Sequence, residues 1–301
     1  MVDLTILIMT FNEKIHIERC IRSVMGLTDK IIIIDSFSTD HTVPIAQALG
    51  VKVVQRTWKN QADQFQWGLE QFGSQTEWIM RMDADEYLEP DLITELQEKL
   101  PALEPGIDGI HIKRKVFFEG KWIRFGGSYP QTLLRIWRKG KGRCEQRWMD
   151  EHMVLPPSSK TVTAKGHIVD DNLKGITFWT EKHNIYASRE AADLLNRKYA
   201  LFSQDTNLTG NLDSQAKRKR FVKEKGYSRL PTGWRAFAYF CYRYFLLLGF
   251  LDGRKGFSWH FLQGWWYRYL VDVKIREIEE RCSGDPEKIR ELLKDQHGVL
   301  V

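Results

Sequence analysis

The first 85 residues alternate short apolar runs with helix-like patterns. Runs rich in Ile, Leu and Met lie at 4–9, 31–34 and 78–82, and each ends at polar residues. Between these runs, apolar residues recur three or four positions apart, which is the spacing of one helix face. Strands that alternate with helices in this way predict βαβ units and a mostly parallel sheet.

Local signals predict where the first helices begin and end. Asn12 is a predicted N-cap of the first helix, and Asp40 is predicted to cap the second. Residues 61–72 read as a third helix, which Gly73 ends. The helical turns therefore begin directly after the polar residues that follow the strands.

The second half of the chain has a different pattern. Three further strand-like segments follow residue 100, separated by Gly-rich turns, and the sequence is helix-like from about Thr177 apart from a basic linker at 217–231. The strand-like segments are residues 109–118, 131–137 and 161–169. We therefore predict a mixed α/β sheet flanked by helices, with a helical C-terminal extension. The predicted units are residues 1–100, 101–176 and 177–301.

Polar side chains gather where the apolar runs end. Thr10 to Glu13, Asp35 to Asp40 and Asp83 to Glu86 each follow a predicted strand. In an open α/β sheet, the carboxyl ends of the strands form the ligand crevice. We expect these three groups to face one cleft.

Charge and cysteine usage narrow the possible partners and the compartment. Lys and Arg outnumber Asp and Glu by 45 to 39, which favours anionic partners. The four cysteines lie far apart without a CxxC pair, so neither a zinc site nor a disulfide framework is expected. The N-terminus has no basic region followed by an apolar stretch, which predicts a cytoplasmic protein.

The pair Asp83-Ala84-Asp85 at the end of an apolar run is the sharpest chemical signal. Two carboxylates separated by one small residue can share a hard divalent cation, and that cation can neutralise the phosphates of a departing nucleotide. An isolated DxD is more often an acidic capping turn. Its position after a buried strand favours the metal interpretation here.

Three motifs together resemble family 2 glycosyltransferases. They are Thr10 to Glu13, Asp35 to Thr42 and Asp83 to Glu86, in that order and at that spacing. The resemblance is strong over residues 4–92 and weaker to about 269, where the chain is similar to bacterial enzymes of lipopolysaccharide-core and surface-polysaccharide assembly. It implies a GT-A fold and inverting transfer from a nucleotide-diphosphate sugar, with uridine diphosphate as the expected nucleotide.

The resemblance also implies roles for single residues. Asp35 is expected to bind the base, and the ribose or a metal-bound water is expected to contact Asp83. Asp85 is expected to ligate Mn²⁺ or Mg²⁺, with His167 as a third ligand. Arg81 could contact a phosphate or form a strand-end salt bridge. The remaining expected residues of the base and ribose pocket are Thr10, Phe11, Asn12 and Glu13.

Inverting transfer also needs a base that removes the proton of the acceptor hydroxyl. Asp150 and Glu151 are the candidates in the second half, and Glu151 is favoured. The alternative is a charged loop in which one of them pairs with Arg147.

The C-terminal part combines a basic run with dense aromatic residues. Lys217 to Arg220 is followed by the aromatic stretch 234–251, which also carries Arg235 and Arg243. Two charges in eighteen residues make a poor transmembrane helix, whereas aromatic rings and nearby cations suit an anionic membrane surface. The alternative is packing against the catalytic domain or a second subunit. Nucleic acid is not an expected partner.

The sequence thus predicts a metal-dependent glycosyltransferase at the inner face of the plasma membrane. Its expected partners are a nucleotide-sugar donor, a glycan or lipid-linked acceptor and anionic lipids. Neither GxGxxG nor GxxxxGK occurs, which disfavours dinucleotide oxidoreductases and P-loop enzymes. A nucleotidyltransferase is one alternative, although no Gly-rich nucleotide loop is present near the N-terminus. A non-catalytic membrane adaptor is the other.

Overall fold

The apolar runs of the sequence form the centre of a nine-stranded mixed sheet. A computed structural model describes residues 1–73, 76–145, 152–202 and 233–297. The strand order is β3-β2-β1-β4-β8-β6-β11-β5, and β7 pairs with β6 outside this path. These strands are β1 Leu4–Thr10, β2 Ile31–Asp35, β3 Lys52–Gln55, β4 Trp78–Asp83, β5 Glu86–Leu88, β6 Ile107–Phe118, β7 Lys121–Ile123, β8 Gln131–Arg138 and β11 Lys160–Asp171. A separate two-stranded sheet pairs β9 Arg143–Cys144 with β10 Met153–Val154.

The first four strands are parallel, as predicted. β1 lies between β2 and β4, with Thr10 beside Asp35 and Met9 beside Asp83. Helices connect these strands and cover both faces of the sheet. The helices of this part are α1 Ile17–Val24, α2 Thr42–Ala48, α3 Gln61–Phe72 and α4 Pro90–Ala102.

The faces of β1 explain its continuous apolar run. Ile6 and Ile8 are fully buried in a cluster with Ile17 and Ile21 of α1, whereas Leu7 belongs to a cluster on the other face with Phe65 of α3. A strand covered on both faces needs apolar residues at every position. Each such side chain contributes roughly 1.5–3 kcal/mol on burial.

The second half brings a further strand end to the same edge of the sheet. β8 runs antiparallel to β4, β6 runs antiparallel to β8, and β11 runs parallel to β6. The carboxyl end of β11 therefore lies at the edge where β1, β2 and β4 end. The short strand β5 pairs antiparallel with β11, with Glu86 beside Asp170.

One predicted helix start is wrong. The first helix begins at Ile17 rather than directly after Asn12. Asn12 adopts a left-handed backbone conformation with φ 55°, and its Oδ1 accepts hydrogen bonds from the backbone of Thr39 and Asp40. An Asn side chain that bonds to a neighbouring loop stabilises a turn instead of a helix end. The N-cap of α2 is His41 rather than Asp40, although Asp40 Oδ1, one residue earlier, accepts a hydrogen bond from Thr42 N at 2.9 Å.

The described residues after β11 are helical. The helices are α5 Gly175–Tyr199, α6 Trp234–Cys241, α7 Gly253–Trp259, α8 Tyr267–Arg281 and α9 Pro286–His297, with π-helical turns at Tyr242–Leu246 and His260–Trp266 and a 3₁₀ turn at Gly249–Asp252. Ala187 and Ala191 of α5 pack against Tyr267 and Val271 of α8. None of the helices within the described ranges is long and apolar enough to cross a bilayer.

Part of the C-terminal aromatic region packs against the sheet domain. Phe118 at the end of β6 contacts the rings of Trp179 and Trp259, with centroids 6.0 and 5.4 Å away. Arg243 is buried and donates hydrogen bonds to Gly126 O at 2.7 Å and to Ser128 Oγ at 2.8 Å. The helical region is therefore fixed to the loop between β7 and β8.

Candidate active site

Direct hydrogen bonds lock together the loops that follow β1 and β2. Asn12 N donates to Ser38 Oγ at 2.8 Å, and Glu13 N donates to Thr42 Oγ1 at 2.7 Å. Asn12 and Phe37 both have positive φ, which is uncommon for residues other than glycine. Such backbone strain is typical of functional loops that their surroundings hold in place.

Asp35 lies fully buried at the centre of this pair of loops. Its carboxylate accepts hydrogen bonds from Thr10 Oγ1 at 2.9 Å, from the backbone N and Oγ of Ser38, and from Gln55 Nε2 at 3.0 Å. These four donors match the accepting capacity of a carboxylate. A base that binds Asp35 would therefore have to replace one of them. Phe11, the residue after Thr10, has an exposed side chain.

Two arginines contact the first carboxylate of the DxD pair. Asp83 lies 3.6 Å from Arg81 Nη2 and 3.4 Å from Arg135 Nη2. Burial would raise the pKa of Asp83, but these two guanidinium groups outweigh that effect and hold the pKa well below its usual range. Arg81 thus forms the strand-end ion pair, and its contact with a phosphate stays a prediction.

A buried ion pair, Glu86 with Arg135, contacts Asp83. Glu86 and Arg135 contact each other directly with 1% and 5% of their side chains exposed, and Glu86 Oε2 accepts from Asp83 N at 2.9 Å. Burial raises the pKa of Glu86 to about 8, although Arg135 opposes the rise. Sequence reasoning included Glu86 only as the end of a motif, and it missed Arg135.

A third carboxylate lies beside the DxD pair. Asp170, at the end of β11, contacts Arg114 Nη1 at 3.2 Å. Burial raises the pKa of Asp170, Arg114 opposes the rise, and the nearby Asp85 and Asp83 add to it. Asp170 therefore adds a third carboxylate near the DxD pair, and carboxylate oxygens suit a hard divalent cation. Sequence reasoning missed Asp170, although it also lies at a strand end.

Helix α5 returns towards these carboxylates. Burial lowers the pKa of Lys182, but Tyr186, Asp85 and Asp170 outweigh burial and raise it. Lys182 Nζ lies 5.6 Å from the ring centre of Tyr186. The ammonium group therefore adds a fixed positive charge next to the acidic cluster.

His167 belongs to a different group of side chains. Its Nε2 lies 2.8 Å from Tyr129 Oη, and its Nδ1 lies 3.5 Å from Glu89. Within the described ranges, the ligand atoms close enough to share one metal ion are those of Glu89, Asp91 and His167, and this group includes none of Asp83, Asp85 and Asp170. Lys115 Nζ contacts both carboxylate oxygens of Glu89, at 2.8 and 2.7 Å, so this second group is already partly neutralised.

The predicted catalytic carboxylates, Asp150 and Glu151, lie outside the described residues. Their assignment as bases stays a prediction. The same holds for Arg147, the partner considered in the alternative interpretation.

Comparison with known proteins assigns the family. The model of Glycosyl transferase family 2 matches residues 5–158, which is half of the chain and includes all three strand-end motifs. The chain belongs to this family. The order of its strands and its acidic strand ends agree with the α/β GT-A architecture that the sequence predicts.

Individual relatives match over shorter stretches. Uncharacterized glycosyltransferases of Rickettsia bellii and Rickettsia conorii are 41% and 39% identical over 90 and 93 residues, about 30% of this chain and of each relative. Among solved structures, glucosyl-3-phosphoglycerate synthase from Mycobacterium tuberculosis, in complex with Mn²⁺ and uridine-diphosphate-glucose, is 23% identical. That likeness covers 40% of this chain and 44% of the synthase, with a TM-score of 0.31.

Proposed function

We propose that this chain transfers a sugar from a uridine-diphosphate donor to a lipid-linked glycan or lipopolysaccharide acceptor, with inversion at the anomeric carbon. The observation that carries the proposal is the acidic cluster of Asp83, Asp85 and Asp170 beside the loops around Asp35. β1 separates β2 from β4, so Asp35 and Asp83 lie roughly 10 Å apart on the backbone. That span suits a nucleoside joined to a diphosphate.

The acidic cluster is the proposed site for Mn²⁺ or Mg²⁺. Asp85 would ligate the ion, with Asp83 as a ligand or as a contact of the ribose and a metal-bound water, and a bound cation would stabilise negative charge on the departing diphosphate. Asp170 is better placed than His167 for the third position, because His167 contacts Tyr129 and Glu89 instead. Lys182 would add a positive charge near the same phosphates.

The remaining roles follow the family resemblance. Thr10, Phe11 and Asn12 would form the wall of the base and ribose pocket, with Asp35 beneath them. Glu151, favoured over Asp150, would take the proton of the acceptor hydroxyl as that oxygen attacks the anomeric carbon. An acceptor-binding half over residues 101–176 and a membrane-associated extension over 177–301 complete this proposal.

A binding screen tests the donor. We expect uridine diphosphate with Mn²⁺ to raise the melting temperature more than guanosine or adenosine diphosphate does, since a ligand at 100 times its dissociation constant adds about 2.7 kcal/mol of stability. The measurement is a thermal-shift assay with each nucleotide, with and without the cation. Slow release of nucleoside diphosphate from the matching nucleotide sugar should accompany binding.

The same screen separates the alternatives. A nucleotidyltransferase would release pyrophosphate from a nucleoside triphosphate instead. An adaptor would release no nucleotide product at all. If no nucleoside diphosphate stabilises the protein in the presence of Mn²⁺, the proposed donor site is wrong.

An exposed apolar surface supports the membrane part of the proposal. Large apolar side chains on α6, α7 and the turns between them point to solvent, with Trp234 and Leu246 each 73% exposed. Arg254 and Lys255 lie exposed beside this surface. The other residues of the surface are Phe237, Tyr242, Phe245, Leu248, Phe250, Leu251 and Phe257. An apolar patch with adjacent cations fits an anionic bilayer, and a lipid-linked acceptor would be reached there.

Vesicle binding tests this surface. We expect the protein to sediment with vesicles that contain phosphatidylglycerol. We expect Leu246→Glu with Leu251→Glu to reduce the bound fraction by roughly tenfold or more, because a carboxylate cannot bury among the acyl chains and is repelled by anionic headgroups. Met25→Glu is the matched control, since Met25 is also exposed but lies at the end of α1. Equal binding of all three proteins would exclude the apolar surface as the membrane contact.

A further inference from the structure

A chain of hydrogen bonds joins the loop after β1 to the segment after β11. Glu13 Oε2 lies 2.6 Å from His16 Nδ1, and Glu13 Oε1 lies 2.6 Å from Lys174 Nζ. Leu173 N donates to His16 Nε2 at 2.8 Å. Both carboxylate oxygens of Glu13 therefore contact groups of the protein.

The hydrogen bonds identify the tautomer of His16. The backbone N–H of Leu173 can only donate, so Nε2 of His16 must be the acceptor and Nδ1 carries the proton. That proton is donated to Glu13, which fixes the ring orientation. The side chain of His16 is fully buried, so water does not compete for these bonds.

The segment held in this way contacts the DxD pair. Asn172 Nδ2 donates to Asp85 Oδ2 at 2.9 Å, and Asp171 N donates to Asp85 O at 3.2 Å. Arg19 adds a bond to the Asp171 carboxylate at 2.6 Å. The loop after β1 thus reaches Asp85 through residues that are more than 150 positions away in the sequence.

We propose that Glu13, His16 and Lys174 form a clasp that positions Asn172 against Asp85. Glu13 is then a positioning residue for the cation site and not a ligand of the donor ribose. The proposal rests on the proposed function, because it needs Asp85 to ligate a cation. Residues that hold a ligating carboxylate in place commonly change metal affinity when they are removed.

The clasp also connects the nucleotide loop to the cation site. Glu13 N donates to Thr42, and the neighbouring Asn12 bonds to Ser38, so the same loop contacts the residues around Asp35. The side chain of Glu13 bonds instead to His16 and Lys174, which hold the segment that contacts Asp85. A nucleotide that orders this loop should therefore strengthen cation binding, and the cation should strengthen nucleotide binding by the same factor.

Two substitutions and their combination test the clasp. We expect Glu13→Gln and Asn172→Ala each to weaken Mn²⁺ binding by roughly 10- to 100-fold, while the affinity for uridine diphosphate without cation stays within about twofold. The double variant should lose no more than the larger single loss, because both substitutions interrupt one connection. Mn²⁺ binding is measured by electron paramagnetic resonance and nucleotide binding by calorimetry.

A matched control and four outcomes make the test decisive. Glu95→Gln is the control, because Glu95 also accepts several bonds, from Lys99, Lys165 and Gly166, away from Asp85. Weaker nucleotide binding with unchanged Mn²⁺ affinity in Glu13→Gln would make Glu13 a donor ligand and overturn the clasp. Additive losses in the double variant would also overturn it. A wild-type protein that binds Mn²⁺ but transfers no sugar would refute the proposed function alone, and one that binds no Mn²⁺ would refute both.

Discussion

Replacing Asp85 with Asn is expected to reduce sugar transfer by a factor on the order of 10³ while the protein stays folded. Charge stabilisation by a bound cation is worth several kcal/mol at the transition state, and about 1.4 kcal/mol corresponds to a tenfold change in rate. Asp85 is only half-buried, and its carboxylate accepts one side-chain bond, from Asn172. The fold therefore does not depend on this charge.

The measurement compares initial rates and melting temperatures of the wild type and the variant, with and without EDTA. Asp91→Asn is the matched control, because Asp91 belongs to the second group of potential ligands with Glu89 and His167. We expect this control to keep its rate. Full activity of Asp85→Asn together with loss in Asp91→Asn would place the cation at His167 instead, and full activity of the wild type in EDTA would exclude a cation altogether.

The strands that position the acidic cluster could be predicted because they are buried on both faces. Such strands appear in the sequence as continuous apolar runs, and the rule that ligands bind at their carboxyl ends selects Asp35, Asp83 and Asp85. The same rule applies to Asp170 at the end of β11. Asp170 was missed because the prediction placed the metal ligand of this segment at His167, three residues earlier on the same strand.

The contacts between the two halves could not be predicted from local patterns. His16 lies just before α1, and nothing in its neighbourhood indicates that it accepts a bond from Leu173. The pairing of β5 with β11 likewise joins the three-residue strand Glu86–Leu88, directly after the DxD pair, to a strand about eighty positions later in the sequence. Periodicity describes which face of an element is buried, whereas such long-range contacts depend on how the whole sheet assembles.

Glu86 and Arg135 should give the largest effect on stability. Replacing Glu86 with Met leaves a buried guanidinium that cannot lose its proton, with only the 3.4 Å contact to Asp83 as an ion pair from this group. Removing one partner of a buried ion pair costs about 3–5 kcal/mol. We expect this loss in the free energy of unfolding, measured by urea denaturation at pH 9, where Glu86 and Arg135 are both charged in the wild type.

Replacing Arg135 with Met should cost less stability than replacing Glu86, and the pH dependence of the unfolding free energy should show why. In Arg135→Met, the carboxyl group that remains can take up a proton, since burial already raises the pKa of Glu86 to about 8 and Arg135 no longer opposes the rise. A raised carboxyl pKa means that the folded state binds more protons than the unfolded state, so stability falls as pH rises. The expected slope is about 1.4 kcal/mol per pH unit between the unfolded value of 4.5 and the folded pKa.

Denaturation of both variants at pH 6 and pH 8 measures this difference. Arg135→Met should lose stability as pH rises from 6 to 8, because Glu86 remains and has a raised pKa, whereas Glu86→Met lacks this carboxyl and should show no such loss from this group. The double variant with Met at both positions should be more stable than Glu86→Met alone, because no buried charge is left without its partner. Identical pH dependence of the two single variants would mean that Glu86 stays ionised without Arg135. Water would then have to reach the Glu86 carboxylate.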